Sequence, residues 1–473
     1  MAPDSEIELD ITDVAHGGVF IGRHVDADSA DRGGRVVFVP DAIPGERVRV
    51  RLTDTNHKSF WRGETLEVLE SSEHRRPHVW AAADLSRAPG ERAGGADFGH
   101  IALDHQRELK SRVIRDALQR IGGLDLPVTM EGPRPARDAD GGVVAEESPD
   151  ATRWRTRVSL HVDADGRIGP FAARSHRVIA VDDHPLAVAE IAAAALAQRS
   201  AEPGRLDFVL PSDGRVRVIS RPEAARSAGR QSGGARQSRG RGGRGAPRRG
   251  GAQRAAKPVL DPAAHETVVE TVSGRPFRVD AGGFWQVHRL AAQTLTDALT
   301  DALTGSTASG LVDPDAWHLD LYGGVGLLAA AVASVGGPST RITTVESDPR
   351  ATEHAGANLA DWVGARAETG RVDRWLAHLE ETASPSERAR LSRGVVVLDP
   401  PRAGAGREVV ERVSALAPAH VAYVACDPVA LSRDLATFRE RGYEAAEVRG
   451  FDLFPHSHHV EALVLLTRQD VSR

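Results

Sequence analysis

The sequence predicts an α/β protein whose C-terminal part, residues 276–473, forms a doubly wound parallel sheet. Four strand-like segments there, WHLDLYG, RITTVES, GVVVLDPP and HVAYVACDP, alternate with helical patterns, as is typical of such a sheet. Short strands separated by turn signals predict a small β-barrel over residues 1–72. Residues 73–275 lie between the two and are predicted to form a mixed α/β central domain without visible chemistry.

The composition is that of a soluble globular protein. The 473 residues are 41% hydrophobic, 27% charged and 4% aromatic, and at about 100 to 200 residues per domain they predict two to four domains. Apolar runs near the roughly 20 residues of a membrane span do not occur, and the first residues, MAPDSEIELD, are acidic where a signal peptide is basic and then apolar. We therefore expect a cytoplasmic protein with no membrane partner.

Positive charge is concentrated in one segment. The net charge is −6, yet Arg226–Lys257 contains nine arginines, one lysine and no acidic residue, so that it carries +10 and the remainder −16. This segment has almost nothing to bury and repels itself, which predicts a disordered insert in the central domain. Arginine interleaved with glycine is typical of flexible RNA-binding segments. A plain solvated linker is the alternative.

The barrel region contains one strictly alternating strand. In RVRVRL, Val48, Val50 and Leu52 share one face and three arginines share the other. A basic face suits an oligonucleotide-binding barrel, and a merely solvated face is the alternative. The segments VFIGR, VVFVPDAIPGERVRV and SFWRGETLEVLE resemble the TRAM domain, an OB-like RNA-binding barrel. This resemblance favours RNA as the partner.

One amphipathic helix is predicted after the barrel. The segment IALDHQRELKSRVIRDALQRI, residues 101–121, places Leu109, Val113, Ala117 and Ile121 at four-residue spacing, and two glycines follow as a stop.

A glycine-rich turn in the C-terminal part predicts a nucleoside site. In Asp320-Leu-Tyr322-Gly-Gly-Val-Gly326 an apolar strand runs into a helix, and glycines there allow a ligand to approach the backbone. Glu346 ends the next strand, where a carboxylate accepts ribose hydroxyls. The spacing lacks the full pattern that binds a pyrophosphate, so S-adenosylmethionine fits better than a dinucleotide. An ordinary strand-to-helix turn with a surface acid is the alternative.

The next two strands end in further candidate groups. Asp399-Pro400-Pro401 forms a rigid turn similar to one that amino-methylating enzymes use to hold an exocyclic amine, and a purely structural turn is the alternative. Cys426 follows the strand after it and is the only cysteine, which excludes an internal disulfide and a cysteine-rich metal site. A lone cysteine is more often a small buried residue than a nucleophile, but its position beside the cofactor crevice favours a reactive thiolate.

Glu461 is the candidate proton acceptor. It begins the apolar strand that contains ALVLL, and a carboxylate there must be paired, peripheral or functional. A raised pKa would suit a general base. Three nearby histidines suggest a metal, but a second ligand cluster is not apparent in the sequence, and we expect none.

The ordered motifs GGFWQVH, DLYGGVG, VES, LDPPRAG, YVACDP and FDLFPHSHHVE resemble those of the RNA uracil-5-methyltransferase family over essentially the full length. The resemblance implies a Rossmann-like methyltransferase domain, S-adenosylmethionine as cofactor, and tRNA or ribosomal RNA as partner, with the protein acting as a monomer. Carried over by position, it implies that Cys426 is the nucleophile, that Glu461 is the base, and that the cofactor contacts are Gln286, Tyr322, Glu346 and Asp399.

The implied chemistry explains why a thiol and a base are both needed. Carbon 5 of uracil is a weak nucleophile, but addition of a thiolate at carbon 6 places enolate density on carbon 5, which then takes the methyl group. Removal of the remaining proton from carbon 5 by Glu461 expels the Cys426 thiolate. The target must be a loop nucleotide or a flipped-out one.

Three kinds of feature depart from the family pattern: the cysteine run, three single residues, and the arginine-rich and glycine-rich insert, which is not a general family feature. Many relatives have a Cys-Gly-Gly-Cys run that helps to bind an iron–sulfur cluster; here it is Ala93-Gly94-Gly95-Ala96, so a cluster is not expected. Asp427 replaces the usual Asn after the cysteine. His288 replaces an expected Asn, and Leu327 replaces a polar cofactor contact.

Two other functions remain open at this point. The first is amino-methylation or cytosine-5 methylation of RNA, in which Asp399-Pro400-Pro401 holds the base; Cys426 is dispensable for amino-methylation. The second is a non-catalytic RNA-binding protein, against which the intact Cys426 and Glu461 argue.

Overall fold

A computed structural model describes residues 2–25, 34–199, 201–223, 261–305 and 310–469. The arginine-rich and glycine-rich segment Arg226–Lys257, predicted to be a disordered RNA-binding insert, lies outside these residues.

The N-terminal strands form a closed five-stranded barrel in the order β1-β2-β3-β5-β4. The strands are β1 (Glu6–Ala15), β2 (Val19–His24), β3 (Arg35–Val39), β4 (Arg47–Asp54) and β5 (Phe60–Glu70). The predicted alternation in β4 is confirmed, because Val48, Val50 and Leu52 are fully buried in the barrel core. The barrel that the sequence predicted is therefore present.

The basic face of this barrel is neutralised by acids. The ion pairs are Arg47–Glu8 (2.8 Å), Arg49–Glu67 (2.7 Å) and Arg51–Glu64 (3.1 Å). Because each arginine of β4 has a glutamate of a neighbouring strand beside it, this row is not a free cationic surface.

Helix α1 (Leu103–Ala117) follows the barrel and continues into a π-helical turn, Leu118–Gly122. The helix was predicted, but one of its four apolar positions was wrong, because Ile121 is 44% exposed. Ile114 and Leu118 are buried instead. The wider π turn changes the side-chain phase and turns Ile121 to solvent.

The central region contains a small antiparallel sheet in the order β10-β9-β11-β12, covered by α2. The elements are β6 (Val128–Glu131), β7 (Ala136–Arg137), β8 (Val143–Ala145), β9 (Arg157–Val162), β10 (Ile168–Gly169), α2 (Ala189–Ala197), β11 (Gly204–Val209) and β12 (Arg217–Pro222). Leu160, Ile191 and Phe208 form the centre of its core. The hairpin β13 (Thr267–Val272) and β14 (Arg275–Asp280) and the helix α3 (Ala291–Thr304) come next.

The C-terminal elements build one large sheet with helices on both faces. They are β15 (Trp317–Leu321), α4 (Leu327–Gly336), β16 (Arg341–Glu346), α5 (Pro349–Asn358), β17 (Ala365–Thr369), α6 (Val372–Thr382), α7 (Pro385–Leu391), β18 (Val395–Leu398), α8 (Gly406–Leu416), β19 (His420–Ala425), α9 (Pro428–Glu440), β20 (Tyr443–Ala445), β21 (Val448–Phe451) and β22 (Glu461–Arg468). The order is β17-β16-β15-β18-β19-β22-β21-β6, with β20 beside β22.

This sheet has the predicted doubly wound architecture. Strands β15 to β19 are parallel, and β22 is antiparallel to β19. All four side chains of β18 are buried, as expected for a strand covered on both faces. The strand order reverses between β15 and β18, and such a switch point opens a crevice at the carboxyl ends.

The sheet also recruits a strand from far upstream. Strand β6 pairs in parallel with β21, although it precedes residue 276, where the sequence divides the central domain from the last one. Helix α1 packs beside it, since Ile114 shares an apolar cluster with Val128. The division into residues 1–72, 73–275 and 276–473 remains a proposal. In the described part of the chain, every helix is too short or too polar to span a bilayer.

Candidate active site

The parallel strands bring three predicted residues to one edge of the sheet. Leu321 of β15 is in register with Val345 of β16 and with Leu398 of β18. Tyr322, Glu346 and Asp399 come directly after these three positions in sequence. They therefore lie together at the carboxyl ends, beside the switch point where open α/β sheets bind ligands.

Cys426 and Glu461 face each other through the antiparallel pairing of β19 with β22. Ala425 is paired with Ala462, so the next position places Cys426 opposite Glu461. Glu461 is 5% exposed, while Cys426 is partly exposed. A thiol and a carboxylate thus lie side by side at the edge that carries Asp399.

The surroundings of this pair disfavour the charged form of both groups. Burial, then the neighbouring carboxylates of Glu461 and Asp399, raise the pKa of the Cys426 thiol to about 11. Burial and the charge of Asp399 raise the pKa of Glu461 well above its usual range. Arg402, in the turn after Asp399, opposes both shifts.

A second carboxyl pair lies deeper in the crevice. Burial raises the pKa of Asp320 to about 7, and burial together with the charge of Asp320 raises the pKa of Asp399 to about 7. The hydroxyl of Thr344 donates a hydrogen bond of 3.0 Å to Asp320 Oδ2. Asp320 Oδ1 is buried and has no hydrogen-bond partner in the described part of the chain.

The glycine turn after β15 closes tightly over these groups. A Cβ on Gly323 would collide with Thr344 Oγ1 and Asp320 Oδ2, so that only glycine fits. The backbone N–H of Gly324 donates to Glu346 Oε2 at 3.3 Å. Tyr322 has a positive φ of 65°, a strained conformation for a residue with a side chain.

A cavity of about 420 Å³ adjoins Tyr322. It lies between the ends of β16 and β17 and the start of α8 and is lined by Tyr322, Ser347, Gly370, Arg371, Val372, Asp373, Ala405, Gly406, Arg407, Glu408 and Val409. Sequence reasoning had not selected the segments 370–373 and 405–409, because no motif marks them. Asp320 had been noted only as part of the glycine turn, although a charged residue inside the apolar strand WHLDL was a usable signal.

Hydrogen bonds from β19 and α9 hold the end of the turn that carries Asp399 and Arg402. Tyr423 of β19 donates a hydrogen bond of 2.6 Å to Asp434 of α9, and the same carboxylate accepts the backbone N–H of Ala405 at 2.8 Å. These buried bonds fix the backbone that leads from the sheet edge into α8.

Gln286, the fourth predicted cofactor contact, comes from a loop outside the large sheet. Gln286 is half-buried in the loop between β14 and α3. Hydrogen bonds and ion pairs in the described part of the chain do not join its side chain to Tyr322, Glu346 or Asp399. Its role therefore stays a prediction.

The three single residues that depart from the family pattern have structural roles. Asp427 caps α9 by accepting the backbone N–H of Ala430 at 2.8 Å, which an Asn oxygen does equally well. His288 is buried and stacks on Trp154, with ring centroids 5.2 Å apart. Leu327 is the buried first residue of α4.

The loop before Glu461 is held by contacts with distant parts of the chain. His456 lies against the Gln106 side chain and the Asp150 carbonyl, and His458 is 2.6 Å from Asp97. Among the described residues, His, Cys, Asp and Glu side chains do not form a group of three that could hold a metal ion.

The Ala93–Ala96 run does not fit an iron–sulfur cluster. Ala93 and Ala96 are buried in an apolar cluster with Trp80 and Trp154, and Cys426 is the only cysteine in the sequence.

The residues at the switch point fit S-adenosylmethionine. A buried, unpaired carboxylate oxygen on Asp320 and the partly buried Asp399 suit a cationic group, and Glu346 suits a ribose diol. The glycine turn leaves the backbone accessible beside them.

The sequence is similar to those of RNA methyltransferases over nearly its whole length. The tRNA (uracil-5-)-methyltransferase family profile matches residues 389–469, and the TRAM domain profile matches residues 4–69. A protein of Streptomyces avermitilis described as an uncharacterised RNA methyltransferase is 35% identical over 470 residues, which cover 98% of each chain. A similarly described protein of Bifidobacterium longum is 35% identical over 92% of each chain.

A solved structure has the same fold. The tRNA (uracil-54, C5)-methyltransferase of Pyrococcus abyssi, in complex with S-adenosyl-L-homocysteine, superposes with a TM-score of 0.62 and 18% identity. The match covers 98% of this chain and all of the other chain.

Proposed function

The chain belongs to the RNA uracil-5-methyltransferase family, and from this premise we propose that it methylates carbon 5 of a uridine in tRNA or ribosomal RNA through a covalent bond to Cys426. S-adenosylmethionine supplies the methyl group. The observation that carries the proposal is the register of β19 and β22, which sets Cys426 opposite Glu461.

Cys426 is the proposed nucleophile. Its thiolate adds to carbon 6 of the target uracil and makes carbon 5 nucleophilic. Burial beside two carboxyl groups raises the pKa of the thiol to about 11, so that the resting thiol is protonated at neutral pH. It releases this proton to solvent before the thiolate adds to carbon 6. The positive charge of Arg402 acts in the opposite sense and favours the thiolate.

Glu461 is the proposed base. Once carbon 5 carries the methyl group, its remaining proton moves to Glu461, the carbon–sulfur bond breaks and the Cys426 thiolate leaves. A carboxylate whose pKa burial has raised is a stronger proton acceptor than one in water. Proximity to Cys426 lets one carboxylate act on the carbon beside the bond that breaks.

The cofactor site is proposed at the switch point. Glu346 binds the ribose hydroxyls of S-adenosylmethionine, and Tyr322 and the cavity beside it hold its adenine ring. Asp399 faces the positively charged part of the cofactor. Asp320 joins this set because it lies close enough to Asp399 to raise its pKa and because its buried Oδ1 has no hydrogen-bond partner among the described residues. Gln286 is retained as a contact on the resemblance alone.

The RNA must reach Cys426 as an unpaired or flipped-out nucleotide. The TRAM barrel is the proposed RNA-binding domain, and its turn between β1 and β2 reaches the active site: His16 Nε2 lies 3.3 Å from Asp427 Oδ2, next to Cys426. The barrel therefore contributes to the wall of the site that receives the target base.

Nucleoside analysis tests this function. RNA from a strain that lacks the gene is separated into tRNA and ribosomal RNA, digested, and analysed by mass spectrometry, with mapping of each modified position. We expect one position to lose 5-methyluridine and to regain it with the wild-type gene. Loss of 5-methylcytidine or of an amino-methylated base instead would contradict the proposal and favour the alternative methyltransferases.

A further inference from the structure

A second cavity of about 420 Å³ opens where the barrel, the central sheet and the loop before Glu461 meet. Its wall includes Gly17 of the barrel turn, Gly95 and Asp97 from the segment before α1, Ser159 and His161 of β9, the segment 170–175, and His458. None of these residues belongs to the proposed cofactor site.

This cavity lies next to the active site. His458 is three residues before Glu461, and Gly17 follows His16, whose ring lies 3.3 Å from Asp427. An RNA strand that delivers a base to Cys426 and continues along either of these two walls reaches the cavity. The cavity is therefore placed to receive a nucleotide close to the target.

The lining has the chemistry that unpaired nucleotides require. Phe171 and His161 are stacked, with ring centroids 3.5 Å apart and an angle of 13° between the rings. Aromatic faces of this kind bind bases with little sequence preference. The acid in the wall, Asp97, is paired with His458 at 2.6 Å and so repels a phosphate less.

Arg174 supplies the cation. Its side chain is exposed and makes no hydrogen bond or ion pair with the described residues. Burial is the largest influence on the pKa values of Asp97 and Asp41, and the charge of Arg174 is near enough to both carboxyls to oppose it. Its backbone has a positive φ of 56°, and such strain in a residue with a side chain concentrates at binding sites. The floor is open, since a Cβ on Gly17 or Gly95 would have no neighbour within 4 Å.

We propose that this cavity binds an unpaired nucleotide that neighbours the target uridine in the substrate RNA, with its base against the Phe171–His161 pair and its phosphate on Arg174. The inference rests on the proposed function, because it needs an RNA whose target base lies at Cys426. It adds a contact that selects the conformation of the RNA around the target.

The first test measures RNA binding and turnover of charge variants. Arg174→Glu should raise both the Kd for substrate RNA and the KM about tenfold, because it removes one phosphate contact and introduces repulsion. The kcat and the affinity for S-adenosylmethionine should stay the same, and Arg174→Lys should behave almost as the wild type. Arg390→Glu, an exposed change on α7 outside the cavity, is the matched control and should leave every value unchanged. Equal effects of Arg174→Glu and Arg390→Glu would overturn the proposal.

The second test asks whether a base occupies the cavity. Substrate RNA is prepared with an abasic nucleotide at each position on either side of the target. We expect one abasic position to weaken wild-type binding about tenfold, as for loss of one stacked base, and to have no further effect in Phe171→Leu. Additive losses at every position would contradict the stacked base.

The outcomes distinguish the proposed function from the proposed cavity site, and a nucleotide within RNA from a free nucleotide. Absence of 5-methyluridine with the wild-type enzyme refutes the proposed function, whereas normal 5-methyluridine with unchanged RNA affinity in both Arg174→Glu and Phe171→Leu refutes only the cavity. Adenosine monophosphate at millimolar concentration should compete weakly with RNA. Tight binding of adenosine monophosphate that leaves RNA affinity unchanged would identify a free-nucleotide site and overturn the inference.

Discussion

Lys110 of α1 donates a hydrogen bond of 2.5 Å to Asp452, and both side chains are at most 1% exposed. Asp452 follows β21 and begins the loop that leads to Glu461. Lys110 also donates to the Phe454 carbonyl at 3.0 Å, and Arg107 reaches the second oxygen of Asp452 at 3.3 Å. A helix more than 340 residues upstream thus fixes the loop before the proposed base.

Breaking this buried ion pair should be costly. Lys110→Met leaves Asp452 with Arg107 alone, and we expect the free energy of unfolding to fall by about 3 to 5 kcal/mol, as for other buried pairs that lose one partner. Denaturant unfolding followed by circular dichroism measures the change. Arg115→Met, at an exposed position of the same helix, should change the stability by less than about 0.5 kcal/mol. A loss no larger in Lys110→Met than in this control would show that the pair is unimportant for stability.

The reactivity of Cys426 should report its raised pKa. Because it is the only cysteine, alkylation by iodoacetamide in the cofactor-free protein follows this residue alone. With a pKa of about 11, the thiolate fraction and the rate should rise about tenfold per pH unit from pH 7 to 9.

Two variants check the cause of that shift. Glu461→Gln removes one neighbouring carboxylate and should speed alkylation, whereas Arg402→Ala removes the opposing cation and should slow it. A rate that reaches a plateau below pH 8 in the wild type would contradict the raised pKa.

The Asp320–Asp399 pair predicts pH-dependent cofactor affinity. Each carboxyl has a pKa of about 7, so the pair gains negative charge as the pH rises from 6 to 8. Binding of S-adenosylmethionine, whose sulfonium is positive, should therefore strengthen over this interval more than binding of S-adenosylhomocysteine.

Calorimetric titration of both ligands measures this difference. Asp399→Asn should weaken S-adenosylmethionine binding about tenfold and flatten its pH dependence, on the scale of one charged contact. Glu353→Gln, on the exposed side of α5, is the control. An affinity for S-adenosylmethionine that does not change with pH would argue against the role of the pair.

Deletion of Arg226–Lys257 should weaken RNA binding without changing the modified nucleotide. The segment carries +10 and the remainder −16. Each phosphate of a single strand that an arginine neutralises releases counterions and contributes about −0.7 to the slope of log K against log salt. Glycine-spaced arginines do not fix a register, so they should contribute to capture more than to site choice. Equal salt slopes for the two proteins would mean that the segment is a linker, and a changed modification site would mean that it takes part in recognition.

Local patterns were sufficient for the strands and for the residues at their ends. Cys426 follows one strand and Glu346 is the last residue of another. Because parallel strands that run side by side end at one edge, their approach to a common crevice followed from the sequence. The barrel interior followed from the alternation in β4. The fold class was confirmed as well. Apolar residues recur at every second position in a strand and at every three to four positions in a helix, so the two kinds of element differ in the sequence.

Relationships that depend on register or on distant pairing were not predictable. The placement of Cys426 opposite Glu461 depends on how β22 pairs with β19, which no local pattern states. In the sequence, Asp320 is only part of the glycine turn. Its candidate role depends on a buried oxygen atom without a hydrogen-bond partner among the described residues, which the sequence does not show. The partners of Lys110 and His16 lie more than 300 residues away, and the glutamates that neutralise the arginines of β4 belong to other strands.

The covalent role of Cys426 is the central claim, and Glu461→Gln tests it most directly. This variant should still add the thiolate and transfer the methyl group, but its amide does not accept the proton of carbon 5, so the enzyme should remain bonded to the RNA. The measurement is denaturing electrophoresis of the variant after incubation with S-adenosylmethionine and RNA from the strain that lacks the gene. The account predicts a protein–RNA band that survives denaturation and disappears in the Cys426→Ala/Glu461→Gln double variant. Normal 5-methyluridine formation by Cys426→Ala, with no such band in Glu461→Gln, would contradict it.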